Sequence, residues 1–219
     1  MLNQQLISRN FQPASLTDSV QQALDYAYAH EHNQVMVQDK GKVLGMIGLD
    51  ILETADARSL LQDLQYRIQP LGVKGKDHVF RAAAIFSAMP GISFLPVVDD
   101  EGQFEGVVEK DAVFIKSANL LGMQDNGALV VLDLDSRHFS VGEISKLVET
   151  NDAQITQLNT SPGDNGRLLV TIRVNTPEVS DIVATMQRYD YSVVYFEGEE
   201  TYRNQLRQNY DLLMNFLEM

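Results

Sequence analysis

The chain has 219 residues, of which 44% are hydrophobic and 21% are charged, a composition typical of a folded globular protein and not of a disordered or fibrous one. Its 30 acidic residues outnumber 17 basic ones, and the formal net charge of −13 argues against binding to nucleic acids or to anionic membranes. The chain has no cysteine, which excludes disulfides, zinc–thiolate sites, iron–sulfur clusters and thiol catalysis.

The first residues, Met1 to Leu6, lack the positive and apolar regions of a signal peptide. No apolar stretch approaches the 18 residues or so that a membrane-spanning helix requires. We therefore expect a cytoplasmic protein.

Two predicted helices open two similar segments in the first half of the chain. Apolar residues at spacings of three and four predict one buried helix face in each segment. An aspartate, Asp18 or Asp77, precedes each helix and is a predicted N-cap or first-turn residue. The two apolar faces, at an offset of 59, consist of Val20, Ala23, Leu24 and Ala27, and of Val79, Ala82, Ala83 and Phe86.

Residues 34–50 and 95–111 continue this internal repeat, now at an offset of 61. Each contains an apolar strand, a tight turn with glycine, a second apolar strand and an aspartate where a helix would start. The change of offset predicts two extra residues before the second strand, at Pro90 and Gly91. The matching positions are Val37/Val98, Asp39/Asp100, Gly41/Gly102, Gly45/Gly106 and Asp50/Asp111.

The second half has a different pattern, with the predicted order β-α-β-β-α-β. Strands are predicted at 128–134, 153–158, 168–174 and 191–196. Ser140 with Glu143 forms a capping box before one helix, and Pro177 suits the first turn of the other. This order is that of ferredoxin-like folds.

The tail from residue 199 is predicted to be a helix with an apolar stripe. The stripe would contact either the same chain or a second copy of it. Its members are Tyr202, Leu206, Tyr210, Leu213 and Leu217.

The repeated pattern of valine-rich strand, Asp-x-Gly turn, second glycine, apolar pair and aspartate resembles the CBS domain, and two copies resemble the tandem arrangement called a Bateman module. The β-α-β-β-α-β segment that follows resembles an ACT domain, and the whole is similar to acetoin-utilisation-type CBS–ACT proteins. The resemblance implies an α+β fold. It comprises two CBS units (β-α-β-β-α) at residues 1–66 and 67–124, an ACT-like domain at 127–198 and a C-terminal helix at 199–219.

In CBS pairs an adenosine-containing nucleotide such as AMP, ATP or S-adenosylmethionine lies between the two units. The resemblance places a ribose-binding carboxylate at Asp50 and at Asp111, because an ionised carboxylate accepts two hydrogen bonds. It places the base against strand residues, namely Met36, Val37, Val97 and Val98.

Two departures from the family pattern concern this site. The Ser or Thr that usually follows the second glycine by three residues is replaced by Gly48 in one copy and by Glu109 in the other, and each aspartate comes one residue early. Glu109 also adds a negative charge near the expected phosphates. The two aspartates could therefore serve only as helix caps.

No catalytic or metal-binding set can be assembled from the sequence. His30 and His32 stand at i and i+2, which diverge on a helix, and no third ligand is evident. The turn from Asp135 to Phe139 has no glycine that would let an amino acid approach the backbone.

We expect a non-catalytic regulatory or sensor protein, with a homodimer and an unidentified protein partner as its output. The alternative is a degenerate scaffold that acts only through dimerisation and protein contacts.

Overall fold

The computed structural model describes residues 1–198, so the predicted helix at 199–219 and its apolar stripe lie outside the described residues. The chain divides into two compact units, residues 1–120 and 121–219. Within the described residues, no helix has the length and apolar character needed to cross a membrane.

Residues 1–120 contain the predicted repeat. The first repeat consists of β1 (Ala14–Ser15), α1 (Val20–Ala29), β2 (Gln34–Asp39), β3 (Lys42–Gly48) and α2 (Leu49–Leu52). The second consists of β4 (Val73–Lys74), α3 (Val79–Ala88), β5 (Phe94–Val98), β6 (Phe104–Glu109) and α4 (Lys110–Leu120). Each forms a three-stranded sheet in chain order, whose first two strands are parallel and whose last two are antiparallel. The predicted apolar faces of α1 and α3 lie against these sheets.

The predicted aspartate caps are wrong by one residue. The N-caps are Ser19, whose side chain accepts a hydrogen bond from the Gln22 amide, and His78. The carboxylates of Asp18 and Asp77 instead accept from backbone amides three residues earlier, at 2.7 and 3.1 Å. These bonds close the turn between strand and helix, a local alternative to capping that aspartate readily forms.

The strand register places the second extra residue in a turn. Val37 lies opposite Gly45, and Val97 lies opposite Gly106, so Val37 corresponds to Val97 and not to the predicted Val98. One extra residue therefore precedes β5, and the other lengthens the turn between β5 and β6. A turn can lengthen without shifting side chains between the two faces of a sheet, whereas a one-residue slip in a strand would move them all.

The segment before each repeat pairs with the other repeat. Ser8 and Val107 exchange two backbone hydrogen bonds of 2.8 and 2.9 Å, and Gln69 and Met46 do the same at 2.8 and 2.9 Å. Leu6 and Ile7 are partly buried and pack against the core of the second repeat. The first eight residues, which the sequence assigned to the first repeat, thus complete the second one.

Residues 121–198 have the predicted order β-α-β-β-α-β. The elements are β7 (Leu129–Asp135), α5 (Val141–Glu149), β8 (Ile155–Pro162), β9 (Arg167–Val174), α6 (Ser180–Arg188) and β10 (Ser192–Glu197). They form an antiparallel sheet in the order β10-β7-β9-β8. Alternate residues of β7 are buried within the core of this unit, as a sheet covered on one face requires.

The two predicted helix starts in this unit have different outcomes. Ser140 caps α5 and accepts from the Glu143 amide, as predicted. Helix α6 begins at Ser180, so Pro177 is not in its first turn. The Thr176 hydroxyl accepts from the Glu178 amide, and this local turn occupies the backbone that would otherwise start the helix.

Candidate functional site

Asp50 and Asp111 occupy equivalent places in the two repeats. Each is the second residue of the helix that follows the edge strand of its sheet, and each side chain is exposed. Neither aspartate lines any of five surface cavities found within residues 1–198. The carboxylates are therefore accessible, but they do not face a preformed cavity of that set.

The four strand residues assigned to the base are not brought together. Val37 and Val97 are buried in the separate cores of the two repeats, because alternate strand residues point to opposite faces. Met36 faces the layer between the repeats. Val98 is half-buried and lies at the end of β5 remote from the aspartates.

The layer between the repeats is closely filled. Met36 and Met46 from the first repeat meet Phe94 and Val107 from the second, and each is at most 3% exposed. The Gln34 side-chain amide crosses the layer and donates to the Phe94 carbonyl oxygen at 2.9 Å. These contacts hold the two sheets together.

An aromatic cluster of Phe11, His32 and Phe94 borders this layer. The rings of Phe11 and His32 stack at 4.9 Å with an interplanar angle of 10°. Both rings also contact Phe94: the ring centroid of Phe94 lies 4.7 Å from that of Phe11 and 5.2 Å from that of His32. The cluster joins residues from three separate segments, so no local motif in the sequence signals it.

The cluster lies at the strand ends that carry both aspartates. Asn33, which follows His32, accepts a hydrogen bond from the amide of Leu49, the neighbour of Asp50. Phe94 lies opposite Glu109, two residues before Asp111. The Asn33 side chain also donates to the Gly91 carbonyl oxygen, which ties the two repeats together at this end.

The two repeats differ in charge at this end. Gly48 lies opposite Gln34, whereas its counterpart Glu109 lies opposite Phe94 and carries an exposed carboxylate. Burial lowers the pKa of His32, nearby His30 lowers it further, and Glu109 raises it in part. The aromatic cluster is thus favoured in its neutral form, and the Asp111 end carries Glu109 and Lys110 where the Asp50 end carries the uncharged Gly48 and Leu49.

The side chains at the strand ends that carry the two aspartates offer groups for binding a ligand. Exposed carboxylates can accept hydrogen bonds from hydroxyl groups, and aromatic rings can stack with a planar base. Within residues 1–198, no group of three or more His, Asp or Glu residues is arranged to hold a metal ion.

A cavity of about 580 Å³ in the second unit lies beside the turn considered for amino-acid binding. Arg137 makes a two-point contact with Asp135 at 2.7 and 3.0 Å, which holds the pKa of that carboxyl far below its usual range. Arg167 likewise pairs with Asp133 at 2.7 Å. The lining is therefore rich in charges that are already paired within the chain.

Comparison with known proteins identifies part of the chain. Residues 63–117 match the family model of the CBS domain, and this match covers most of the second repeat. No curated protein matches the chain. Residues 63–117 are therefore similar to a CBS domain.

Solved structures of CBS proteins resemble the chain over about half its length. A CBS domain pair/ACT domain protein from Thermotoga maritima is 21% identical, with a TM-score of 0.51, over 55% of this chain and 99% of its own. The CBS domains of a transcriptional regulator from Streptococcus pneumoniae are 15% identical, with a TM-score of 0.47, over 52% and 98%. A CBS domain pair in complex with 5′-methylthioadenosine and S-adenosyl-L-methionine is 20% identical, with a TM-score of 0.43, over 54% and 97%. The first of these shows a shared mixed α+β fold.

Proposed function

We propose that this chain is a non-catalytic, cytoplasmic regulatory protein whose CBS pair binds an adenosine-containing nucleotide at the strand ends that carry Asp50 and Asp111. The observation that carries the proposal is the duplication of one geometry. Each repeat presents an exposed carboxylate at the second position of the helix that follows its edge strand. The ribose hydroxyls would donate to this carboxylate, a charge-assisted contact that is stronger than a neutral one.

The half-buried rings of Phe11 and His32 supply the surface for the base, and the buried ring of Phe94 supports them from the layer beneath. Stacking of an aromatic side chain on a nucleic-acid base contributes about 1–3 kcal/mol without requiring a fixed hydrogen-bond pattern. Met36 lies in the apolar layer beneath this cluster, while Val37 and Val97 support the strands from within their own cores. Val98 is too far along β5 to contribute to the same site.

Charge favours the Asp50 side for a nucleotide that carries phosphates. Gly48 has no side chain, whereas Glu109 adds an exposed carboxylate whose charge acts on His32, and the neighbouring Lys110 ammonium is held by the Pro90 carbonyl oxygen at 2.8 Å. Like charges a few ångströms apart repel, although water and salt reduce the effect at exposed positions. Asp50 is therefore the stronger ribose ligand in this proposal.

The second unit supplies dimerisation or a second input. Its strand order β10-β7-β9-β8 supports an ACT-like, ferredoxin-like domain at residues 127–198. In chain order the proposed CBS units are residues 1–66 and 67–124, with residues 1–8 packed on the second unit, and residues 199–219 form the proposed C-terminal segment. Nucleotide binding would act by favouring one conformation of a homodimer or of a complex with a partner protein.

Calorimetry with AMP, ATP and S-adenosylmethionine tests the proposal on the full chain. We expect Asp50→Asn to weaken binding at least about tenfold, because a hydrogen bond to a charged group contributes about 1.5–3 kcal/mol. Asp111→Asn should have a smaller effect, and Glu109→Gln should strengthen ATP binding. Asp56→Asn, an exposed aspartate elsewhere in the first repeat, is the control. Absence of binding at millimolar ligand would contradict the proposal.

The closely filled layer between the repeats favours a second candidate, a scaffold that acts only through dimerisation and protein contacts. The layer holds the sheets together without any ligand. On this view, Asp50→Ala and Asp111→Ala variants keep full folding and the same oligomeric state in sedimentation analysis. Loss of the dimer in either variant would exclude the scaffold.

A further inference from the structure

A groove of about 780 Å³ lies at the hairpin-turn end of residues 1–120, remote from the strand ends that carry the aspartates. Its volume is within the range of small-molecule sites. It is bordered by the start of β3, the segment before β4, the start of α3 and the end of β5. Its apolar lining includes Val43, Leu44, Leu71 and Val98, and its charged lining consists of Lys74, Lys76, Arg81 and Asp77.

The groove is lined by three cationic side chains and one carboxylate. Such an excess of positive charge is unusual in a chain whose formal net charge is −13. The Asp77 carboxylate is already engaged, since it accepts from the Lys74 amide at 3.1 Å. The Arg81 side chain is exposed and makes no hydrogen bond or ion pair with any described residue. Its guanidinium is therefore free to bind an anion.

The two lysines share one acidic partner outside the groove lining. The Nζ atoms of Lys74 and Lys76 each lie 2.5 Å from an oxygen of Asp100, and these contacts lower the pKa of Asp100 to about 2. Asp100 belongs to the turn that is one residue longer than its counterpart in the first repeat. All three side chains are well exposed, so the pairs add little stability, but they hold both ammonium groups beside the groove.

The first repeat shows that the fold does not need these cations. The strand register and the helix starts make Lys74, Lys76 and Arg81 the counterparts of Ser15, Thr17 and Gln22. Asp77, in contrast, has the counterpart Asp18, and both make the same turn-closing hydrogen bond. The aspartate is thus common to both repeats and structural, whereas the three positive charges occur only in the second.

We propose that this groove binds a small organic anion with an apolar body and a phosphate monoester headgroup. The Arg81 guanidinium offers parallel donors that match phosphate geometry, and the two lysines add charge. The apolar body would lie on Val43, Leu44 and Leu71. Because the headgroup competes with Asp100 for the lysines, binding releases that carboxylate to water. This site is separate from the nucleotide site proposed above.

Phenyl phosphate, inorganic phosphate and benzoate are the probes, and chemical-shift titration of the full chain is the measurement. We expect phenyl phosphate to bind more tightly than either of the others and to shift the amides of residues 71–81. The variant Lys74→Ser/Lys76→Thr/Arg81→Gln, which carries the first repeat's residues, should weaken binding about tenfold or more, since all three charged contacts to the headgroup are lost. Asp100→Asn should strengthen it.

A matched variant removes three positive charges elsewhere in the same unit, Lys40→Asn/Arg58→Gln/Arg67→Gln, and should change the affinity by less than twofold. Asp50→Asn, the variant that tests the nucleotide site, should also leave phenyl phosphate binding unchanged. Equal binding by the groove variant and the parent chain, or shifts confined to residues outside the groove, would overturn the proposal.

Discussion

At the scale of single residues, Gly45 and Gly106 are where the backbone demands glycine. Their φ angles are +145° and +146°, and a Cβ atom would overlap the Gln69 carbonyl oxygen in one case and the Ile7 side chain and Ser8 carbonyl oxygen in the other. We expect Gly45→Ala and Gly106→Ala each to lower the free energy of unfolding by about 1–3 kcal/mol, measured by urea denaturation. Gly142→Ala, where an added Cβ meets nothing within 4 Å, is the control and should not destabilise. Equal effects at all three positions would contradict this account.

His32 gives the protein a dependence on pH, because burial lowers its pKa in the folded state below the ordinary value of 6.5. The unfolded chain then binds more protons than the folded one as the pH falls below 6.5, so the free energy of unfolding decreases in that range. We expect the free energy of unfolding of His32→Asn to decrease less between pH 7 and pH 5 than that of the parent chain, as measured by urea denaturation at each pH. His138→Asn, at an exposed histidine of the other unit, should retain it. Identical pH profiles for His32→Asn and the parent chain would exclude a role for His32.

At the scale of elements, the segment before each repeat is a structural part of the other repeat. Deletion of residues 1–8 removes the Ser8–Val107 hydrogen bonds and uncovers the core beneath Leu6 and Ile7. We expect the deletion to destabilise the second repeat by at least about 2 kcal/mol, since burying one such apolar side chain contributes about 1.5–3 kcal/mol. Hydrogen exchange should show a larger loss of protection at the Val107 amide than at the Met46 amide, which is held by Gln69. Equal losses at both amides would contradict the assignment of residues 1–8 to the second repeat.

Local patterns predicted most elements correctly, and the errors occurred at their ends. The spacing of apolar residues in α1 and α3 identified both buried faces, because a helix repeats every 3.6 residues wherever it packs. The caps were displaced from Asp18 and Asp77 because aspartate can close a turn as readily as it caps a helix. The sequence pattern predicted both extra residues before β5, whereas one of them lies in the turn between β5 and β6. Only the pairing of the strands reveals at which residue their register changes.

At the scale of the whole molecule, each unit has a core of its own. Among residues 1–198, the buried core of the second unit comes from residues between 128 and 191, and the three clusters of buried residues in the first unit lie before residue 114. We therefore expect chains 1–124 and 125–219, expressed separately, each to unfold cooperatively in urea. A chain 125–219 without a cooperative transition would show that its core depends on the first unit.

The amino-acid sequence alone determined the duplicated α+β pattern, the following β-α-β-β-α-β order and the places of Asp50 and Asp111 at helix starts. Each of these features is built from short-range spacings within single helices, strands and turns, which a linear pattern records. Only the tertiary structure decided that the N-terminal segment pairs with the second repeat, that Phe11 stacks on His32, and that Lys74, Lys76 and Arg81 border one groove. Each of these depends on segments that are distant in the chain and meet through packing, so no local period or motif encodes it.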